Sequence, residues 1–320
     1  MAWTAADIPD QSGRTAVVTG GNGGLGLESS RALAAAGARV IIAARDQGKA
    51  GEAVANIRQS VPDADLVVVA LDLGALDSVR EAAEQILAER DAIDILMNNA
   101  GVMGIPERRT ADGFEMQFGV DHLGHWALTA RLMPAILRAD RPRVVTVTST
   151  AHHMGRAVDP ANVNLDGRYG PWRAYGQAKL ANFHFGLGLQ RCFDQAGTRA
   201  ASLIAHPGLS NTDLQAVSVR ETGGGLIQRF FHGLAASFGM SPAEGALSQL
   251  RAATDPGAHG GEFYGPLFGN AGAPVRKPIL RRVGMQQAID RLWEVSERET
   301  GLAIDLEPGT AARDTDSVTA

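Results

Sequence analysis

From residue 14 to about residue 210, short apolar runs alternate with alanine-rich stretches of helical periodicity. The runs are TAVVT, ARVIIAA, DLVVVAL, IDILMN, RVVTVTS and RAASLIA, rich in β-branched residues and without in–out alternation, as strands covered on both faces require. Between them, LGLESSRALAAAG, DSVREAAEQILAERD and EMQFGVDHLGHWALTARLMPAILRAD each predict a helix, and Gly37 sits where a C′ glycine would end the first. A helix from Pro242, a strand near GEFYG and an amphipathic helix over Gln286 to Arg298 follow. The pattern predicts an α/β fold, a doubly wound parallel sheet of about seven strands with helices on both faces.

The same reading divides the chain into an N-terminal arm (1–13), one domain (14–300) and a polar C-terminal tail (301–320). Within the domain, 210–241 changes character: ETGGGLIQRFFHGLAASFGM supplies a triple glycine and then an apolar helix, expected to form a substrate lid. Leu226, Phe230, Phe231, Leu234 and Phe238 recur at helical spacing, which fits either core packing or the inner face of that lid.

Composition narrows the partners. A chain of 320 residues, 45% hydrophobic, can bury a large core, and a net charge of −5 offers no basic stripe for a phosphate backbone, so nucleic acid is not expected. The single cysteine, Cys192, cannot form an internal disulfide and reads as a packing residue on a helix. MAWTAADIPDQSGR has no cation before Arg14 and no apolar core, unlike a secretory signal, and no apolar run reaches the length of a membrane span. A cytoplasmic protein without stable membrane insertion is expected. His122 and His125, three apart, and the adjacent His152 and His153 lack a third ligand at convincing spacing, so no metal site is expected.

The first strand runs into TGGNGGLG, Thr19 to Gly26, and then a helix. Glycines there let the backbone approach a pyrophosphate, and the helix N-terminus offers N–H groups and a positive dipole end. The spacing fits G-x-G-x-x-G from Gly21 and G-x-x-x-G-x-G from Gly20; Gly20, Asn22, Gly24, Leu25 and Gly26 are the candidate contacts of a Rossmann-type dinucleotide site. The second strand ends IIAARDQ. Arg45 stands after Ala44 where an acidic residue would hold a free ribose hydroxyl, and a guanidinium there suits a 2′-phosphate, which favours NADP(H). Asp46 works against this unless it caps the next helix.

With LDL at 71–73, NNAG at 98–101, VTSTAH at 147–152, YGQAK at 175–179 and HPGLSNT at 206–212, the chain resembles the short-chain dehydrogenase/reductase family over most of 14–270. DHLGHW at 121–126, EFYGP at 262–266 and the long gap between Ser149 and Tyr175 are similar to its retinol-dehydrogenase-like and WW-domain-oxidoreductase-like branch. The resemblance implies that Asp72 and Leu73 meet the adenine, that Asn99, Ala100 and Gly101 line the cofactor, and that Pro207, Gly208 and Thr212 cover the nicotinamide. It implies that Ser149, Tyr175 and Lys179 are catalytic, the last two also touching the cofactor, and that the substrate is a bulky, lipophilic alcohol or carbonyl. Lys179, one turn after Tyr175, is expected to draw the phenol below its usual pKa near 10. Asp121 stands at the position of the family's fourth catalytic residue, an asparagine. Either only its backbone carbonyl matters, holding a water that relays protons, or its charge partly cancels that of Lys179. The departure keeps open a non-catalytic NADP-binding sensor or scaffold; an epimerase or dehydratase is disfavoured by the glycine spacing. A homodimer or homotetramer is compatible with all of these.

Overall fold

The structure is a computed structural model that describes residues 2–209, 240–280 and 283–306. Most of the expected lid, with Thr212, and residues 307–320 of the expected tail lie outside the described residues.

The described chain runs β1 (Thr15–Thr19), α1 (Gly24–Ala35), β2 (Arg39–Ala44), α2 (Gln47–Ser60), β3 (Leu66–Ala70), α3 (Leu76–Glu89) and β4 (Ile95–Asn98). It continues through a single turn α4 (Met116–Phe118), a π-helical segment (Gly119–Leu123), α5 (Gly124–Arg138), β5 (Arg143–Val147), a 3₁₀ turn (Thr150–His153), α6 (Pro171–Gln195) and β6 (Ala201–Ala205). After residue 240 come α7 (Pro242–Thr254), β7 (Phe263–Pro266), β8 (Pro274–Lys277) and α8 (Met285–Thr300).

The strands form one sheet in the order β3-β2-β1-β4-β5-β6-β7-β8, parallel except for β8, which pairs antiparallel with β7. β8 is one strand more than expected: PVRK is four residues long, opens with proline and occupies the sheet edge, where a missing N–H costs no ladder bond. Alternate residues of one strand feed opposite faces. Val17, Leu96 and Val144 meet α3, α5, α6 and α8, while Val18, Met97 and Val145 meet α1, α2 and α7. Both faces are therefore dry, which is why the strands read as unbroken apolar runs.

Strand order reverses between β1 and β4, so their carboxyl ends open a crevice of the kind in which doubly wound sheets bind ligands. Gly37, at φ 95°, follows the α1 C-cap, as expected from the sequence. Asp46 is the N-cap of α2 and accepts the Lys49 N–H at 3.0 Å. The long helix expected from Glu115 onward is instead broken into α4, the π segment and α5. Both termini of the described chain are docked: Trp3 and Ile8 pack on the α1/α2 core, and Leu302 is buried with its carbonyl accepting Trp126 Nε1–H at 2.8 Å. The first residues of the expected tail thus belong to the body.

Candidate active site

The glycine loop closes the crevice at the end of β1. Gly20 and Gly24 have φ of 65° and 49°, where a side chain is strained. A Cβ on Gly26 would collide with the Gly20 carbonyl and lie 2.7 Å from Asn99 Nδ2, while one on Gly23 would meet nothing within 4 Å. The loop is therefore packed tightly against the sheet on one side and open on the other. α1 starts behind Gly23 with no side-chain cap and no acidic residue in its first turn, leaving its N–H groups facing that open side. The glycines and the uncapped start of α1 fit a pyrophosphate cradle; Asn22 lies in this loop and Leu25 in the first turn of α1.

Thr19, Asn99 and Gln249 hold the loop to the sheet, a set of supports the sequence reading did not assign. The Thr19 hydroxyl accepts the N–H groups of Asn99 at 2.9 Å and Ala100 at 3.0 Å. Asn99 donates Nδ2–H to the Thr19 carbonyl at 2.8 Å and accepts from Gln249 Nε2 at 3.0 Å. Gln249 lies on α7, far along the chain, and nothing local marks it.

On the adenosine side, Arg45 is exposed at the end of β2. Asp72 accepts the Gly74 N–H through Oδ1 at 2.9 Å, which fixes its carboxyl, and Leu73 is buried beside it. On the opposite wall, Pro207 and Gly208 follow β6; Gly208 has φ 72° and donates its N–H to His206 Nδ1 at 3.1 Å.

Between these walls, α6 presents Tyr175 and Lys179. The helix is anchored by Thr148 Oγ1–H to the Lys179 carbonyl at 2.7 Å and by Asn182 Nδ2–H to the Val147 carbonyl at 3.1 Å. Its glycines are contact points: a Cβ on Gly186 would strike Ile204, and one on Gly188 would strike Trp293. Tyr175 is 8% exposed and meets Trp172 edge to face, and Ser149 is near enough to act on its hydroxyl. Ser149 caps the 3₁₀ turn, accepting Ala151 N–H at 3.2 Å. Lys179 Nζ lies 5.6 Å from the centre of the Tyr175 ring and 2.9 Å from Asp121 Oδ2. The structure thus brings together Ser149, Tyr175, Lys179 and Asp121 from three separate segments.

Burial is the main influence on the phenol, raising the Tyr175 pKa; Asp121 adds to the rise, and Lys179 and the Ser149 hydroxyl oppose it. The expected downward shift is therefore outweighed in this chain. Burial disfavours the Lys179 charge, but attraction to Asp121 and Tyr175 prevails and raises its pKa. Burial also pushes Asp121 upward, yet one oxygen accepts Val102 N–H at 2.7 Å and the other faces an ammonium, an arrangement that suits the ionised carboxylate.

The matching family model, short chain dehydrogenase, covers residues 14–222 and so takes in the glycine loop, Ser149, Tyr175 and Lys179. The chain belongs to the short-chain dehydrogenase/reductase family. Retinol dehydrogenase 14 of Mus musculus is 34% identical over 302 residues, spanning 91% of this chain and 86% of its own. Retinol dehydrogenase 12 of Homo sapiens is 36% identical over 285 residues, spanning 89% and 85%. An uncharacterised protein of Mycobacterium paratuberculosis, known from its crystal structure, has a TM-score of 0.76 and 37% identity, covering 96% of this chain and all 100% of its own. These likenesses place the chain in the retinol-dehydrogenase-like branch.

In this family member the histidines have structural partners. His125 Nδ1 contacts the Asp121 carbonyl at 2.9 Å and Nε2 contacts Thr19 Oγ1 at 2.9 Å. His122 Nε2 reaches Ser296 Oγ at 2.8 Å. Glu115, also unassigned from the sequence, is a buried N-cap accepting Gln117 and Phe118 N–H groups. Burial pushes its carboxyl up to about 7. A separate cavity of about 220 Å³ on the flank of α6, lined in part by Leu180, Phe183, His184 and Phe263, includes neither Tyr175 nor Lys179.

Proposed function

We propose that this oxidoreductase uses NADP(H) to interconvert an alcohol and a carbonyl on a bulky, lipophilic small molecule. The observation that carries the reading is the Ser149–Tyr175–Lys179 cluster set across the crevice from the glycine loop. Gly20, Gly24 and Gly26 would admit the pyrophosphate, Asp72 the adenine and Arg45 the 2′-phosphate. When bound, the nicotinamide supplies or accepts the hydride.

Ser149 donates its hydroxyl hydrogen to the substrate oxygen and so fixes where that oxygen sits. Tyr175 gives its proton to the oxygen during carbonyl reduction and takes it back during alcohol oxidation. Lys179 favours the tyrosinate that proton donation leaves behind. The relatives' names, retinol dehydrogenases, favour a lipophilic substrate for this chain as well. The expected cytoplasmic location, and assembly as a homodimer or homotetramer, remain part of the proposal; among the described residues no helix is long and apolar enough to cross a membrane.

The test is NADPH oxidation by the purified protein with a panel of hydrophobic aldehydes and ketones. Turnover with at least one, and a preference for NADPH over NADH, is expected. A second reading, an NADP-binding sensor, is favoured by Asp121 at the asparagine position; NADPH binding with no turnover across the panel would select it.

A further inference from the structure

Asp121 is held on three sides. Its Oδ1 accepts the Val102 N–H at 2.7 Å, its Oδ2 lies 2.9 Å from Lys179 Nζ, and a Cβ placed on Gly101 would sit 3.1 Å from both oxygens. The side chain is fully buried, so no water competes for its surface. Its backbone carbonyl is also engaged. A carbonyl can only accept, so His125 Nδ1 carries the hydrogen that points at it. Side chain and main chain at this position are therefore both committed, and the carboxylate touches the ammonium directly.

The phenol sees a different lysine from the one the Tyr175–Lys179 spacing alone suggests. Coulomb attraction falls with distance, and the carboxylate stands at contact distance from Nζ while the Tyr175 ring centre is 5.6 Å away. A negative charge fixed beyond the lysine cancels much of the positive potential that would otherwise favour a tyrosinate. We propose that Asp121 is a positioning residue that holds Lys179 as an internal ion pair and keeps Tyr175 a protonated acid, suiting the site to carbonyl reduction.

This rests on the proposed alcohol/carbonyl activity. In reduction, bound reduced nicotinamide would supply the hydride of the new C–H bond, while the carbonyl π pair becomes the bond from oxygen to the Tyr175 proton and leaves tyrosinate. In oxidation, tyrosinate must be present at the start to take the alcohol proton. A protonated resting phenol therefore extends reduction to higher pH and confines oxidation to alkaline conditions. The other groups bearing on the cluster are Ser149 after the end of β5, whose hydroxyl favours the ionised phenol, His125 from α5, kept neutral by burial that brings it down to about 4, and Glu115 ahead of α4, on which the Asp121 charge acts.

The chain contains only three tyrosines, so ionisation of Tyr175 is readable directly from tyrosinate absorbance. Burial raises the other two: Tyr169 is pushed up to about 12, and Tyr264 higher still, with help from Glu262. The component lost in Tyr175→Phe is the Tyr175 titration. In Asp121→Asn that component should move down by about one pH unit, with the alcohol-oxidation profile moving in parallel. Glu115→Gln serves as the control for the neighbouring carboxyl and should leave most of that difference in place. In the double variant Asp121→Asn/Lys179→Met, which removes both buried charges together, the component should stay within about half a unit of the unmodified protein.

An unmoved component in folded Asp121→Asn, or a rise of a unit or more in the double variant, would overturn the proposal. The double variant decides the matter if the single one fails to fold. A shifted titration in a protein without turnover would count against the proposed activity and leave the charge coupling standing. Turnover with an unshifted titration would overturn the coupling alone.

Discussion

Thr19 and His125, 106 residues apart, are joined by a 2.9 Å contact between Oγ1 and Nε2. Because His125 Nδ1–H is spent on the Asp121 carbonyl, Nε2 carries the lone pair, and the Thr19 hydroxyl donates to it at 2.9 Å, nearer than its other acceptor, the Met97 carbonyl at 3.3 Å. The same hydroxyl accepts two backbone N–H groups from Asn99 and Ala100. One buried oxygen thus ties the cofactor strand, the NNAG turn and the π segment that carries Asp121.

Thr19→Val is the isosteric cut through this junction. It leaves two backbone donors and one imidazole nitrogen unsatisfied in the interior, and an unsatisfied buried group costs about 1–3 kcal/mol. Unfolding in urea should show a loss of that order, and NADPH affinity should fall because Asn99 and Ala100 are no longer held. Unchanged stability would mean that the Thr19 hydroxyl does not anchor the turn.

The elements were largely legible in the sequence because each is announced locally: apolar runs for the strands, Gly37 after α1, Asp46 before α2. Tyr175, Lys179 and Ser149 were legible as well, since their spacing on one helix and one strand end carries the pattern. Asp121 was visible, but its direct contact with Lys179 was not, because it depends on where α6 crosses the π segment. The π segment itself has no sequence period of its own, so Glu115 to Asp140 read as one helix. Gln249 and Thr19 support the loop through contacts between distant segments, which periodicity cannot show. β8 is not legible because four residues beginning with proline carry too little pattern.

Buried imidazoles set the response to acid. Burial lowers His122 to about 3, His125 to about 4 and His206 to about 4, against 6.5 for an ordinary histidine. Between about pH 4 and 6.5 the unfolded chain binds protons at these sites that the folded chain refuses, so stability falls as pH drops through that window. Glu115 acts in the opposite sense: its folded value of about 7 exceeds 4.5, so its contribution is lost as pH rises from about 4.5 to 7. Three histidines outweigh one carboxyl, and the urea midpoint should be lower at pH 5 than at pH 7. A midpoint that rises on acidification would contradict these assignments.

Tyr175→Phe keeps the ring against Trp172 and beneath Lys179 and removes only the acid. Turnover should fall by about 10²–10⁴-fold, the usual worth of a positioned proton donor, with NADPH affinity nearly unchanged. Lys179→Ala is a poorer experiment, because it strands the buried Asp121 carboxylate, and breaking a buried pair costs about 3–5 kcal/mol. Its activity loss would mix chemistry with unfolding. A Tyr175→Phe protein with near-normal turnover would remove the phenol from the reaction.

The proposed preference for NADP(H) rests on Arg45. Asp46, the carboxylate that would repel a 2′-phosphate, is turned back onto its own helix, accepting the Lys49 N–H at 3.0 Å as the α2 N-cap. That commitment leaves the exposed guanidinium of Arg45 to set the charge at the end of β2, where paired hydrogen bonds to a phosphate are geometrically natural. The unmodified protein should bind NADPH more tightly than NADH. Arg45→Ala should erode the preference by an order of magnitude or more, mainly by weakening NADPH. Asp46→Asn, which keeps the cap and removes the charge, should leave NADH binding unchanged and improve NADPH binding only slightly. Fluorescence titration of both cofactors against the three proteins measures this directly. Equal affinities in the unmodified chain would reverse the assignment to NADP(H).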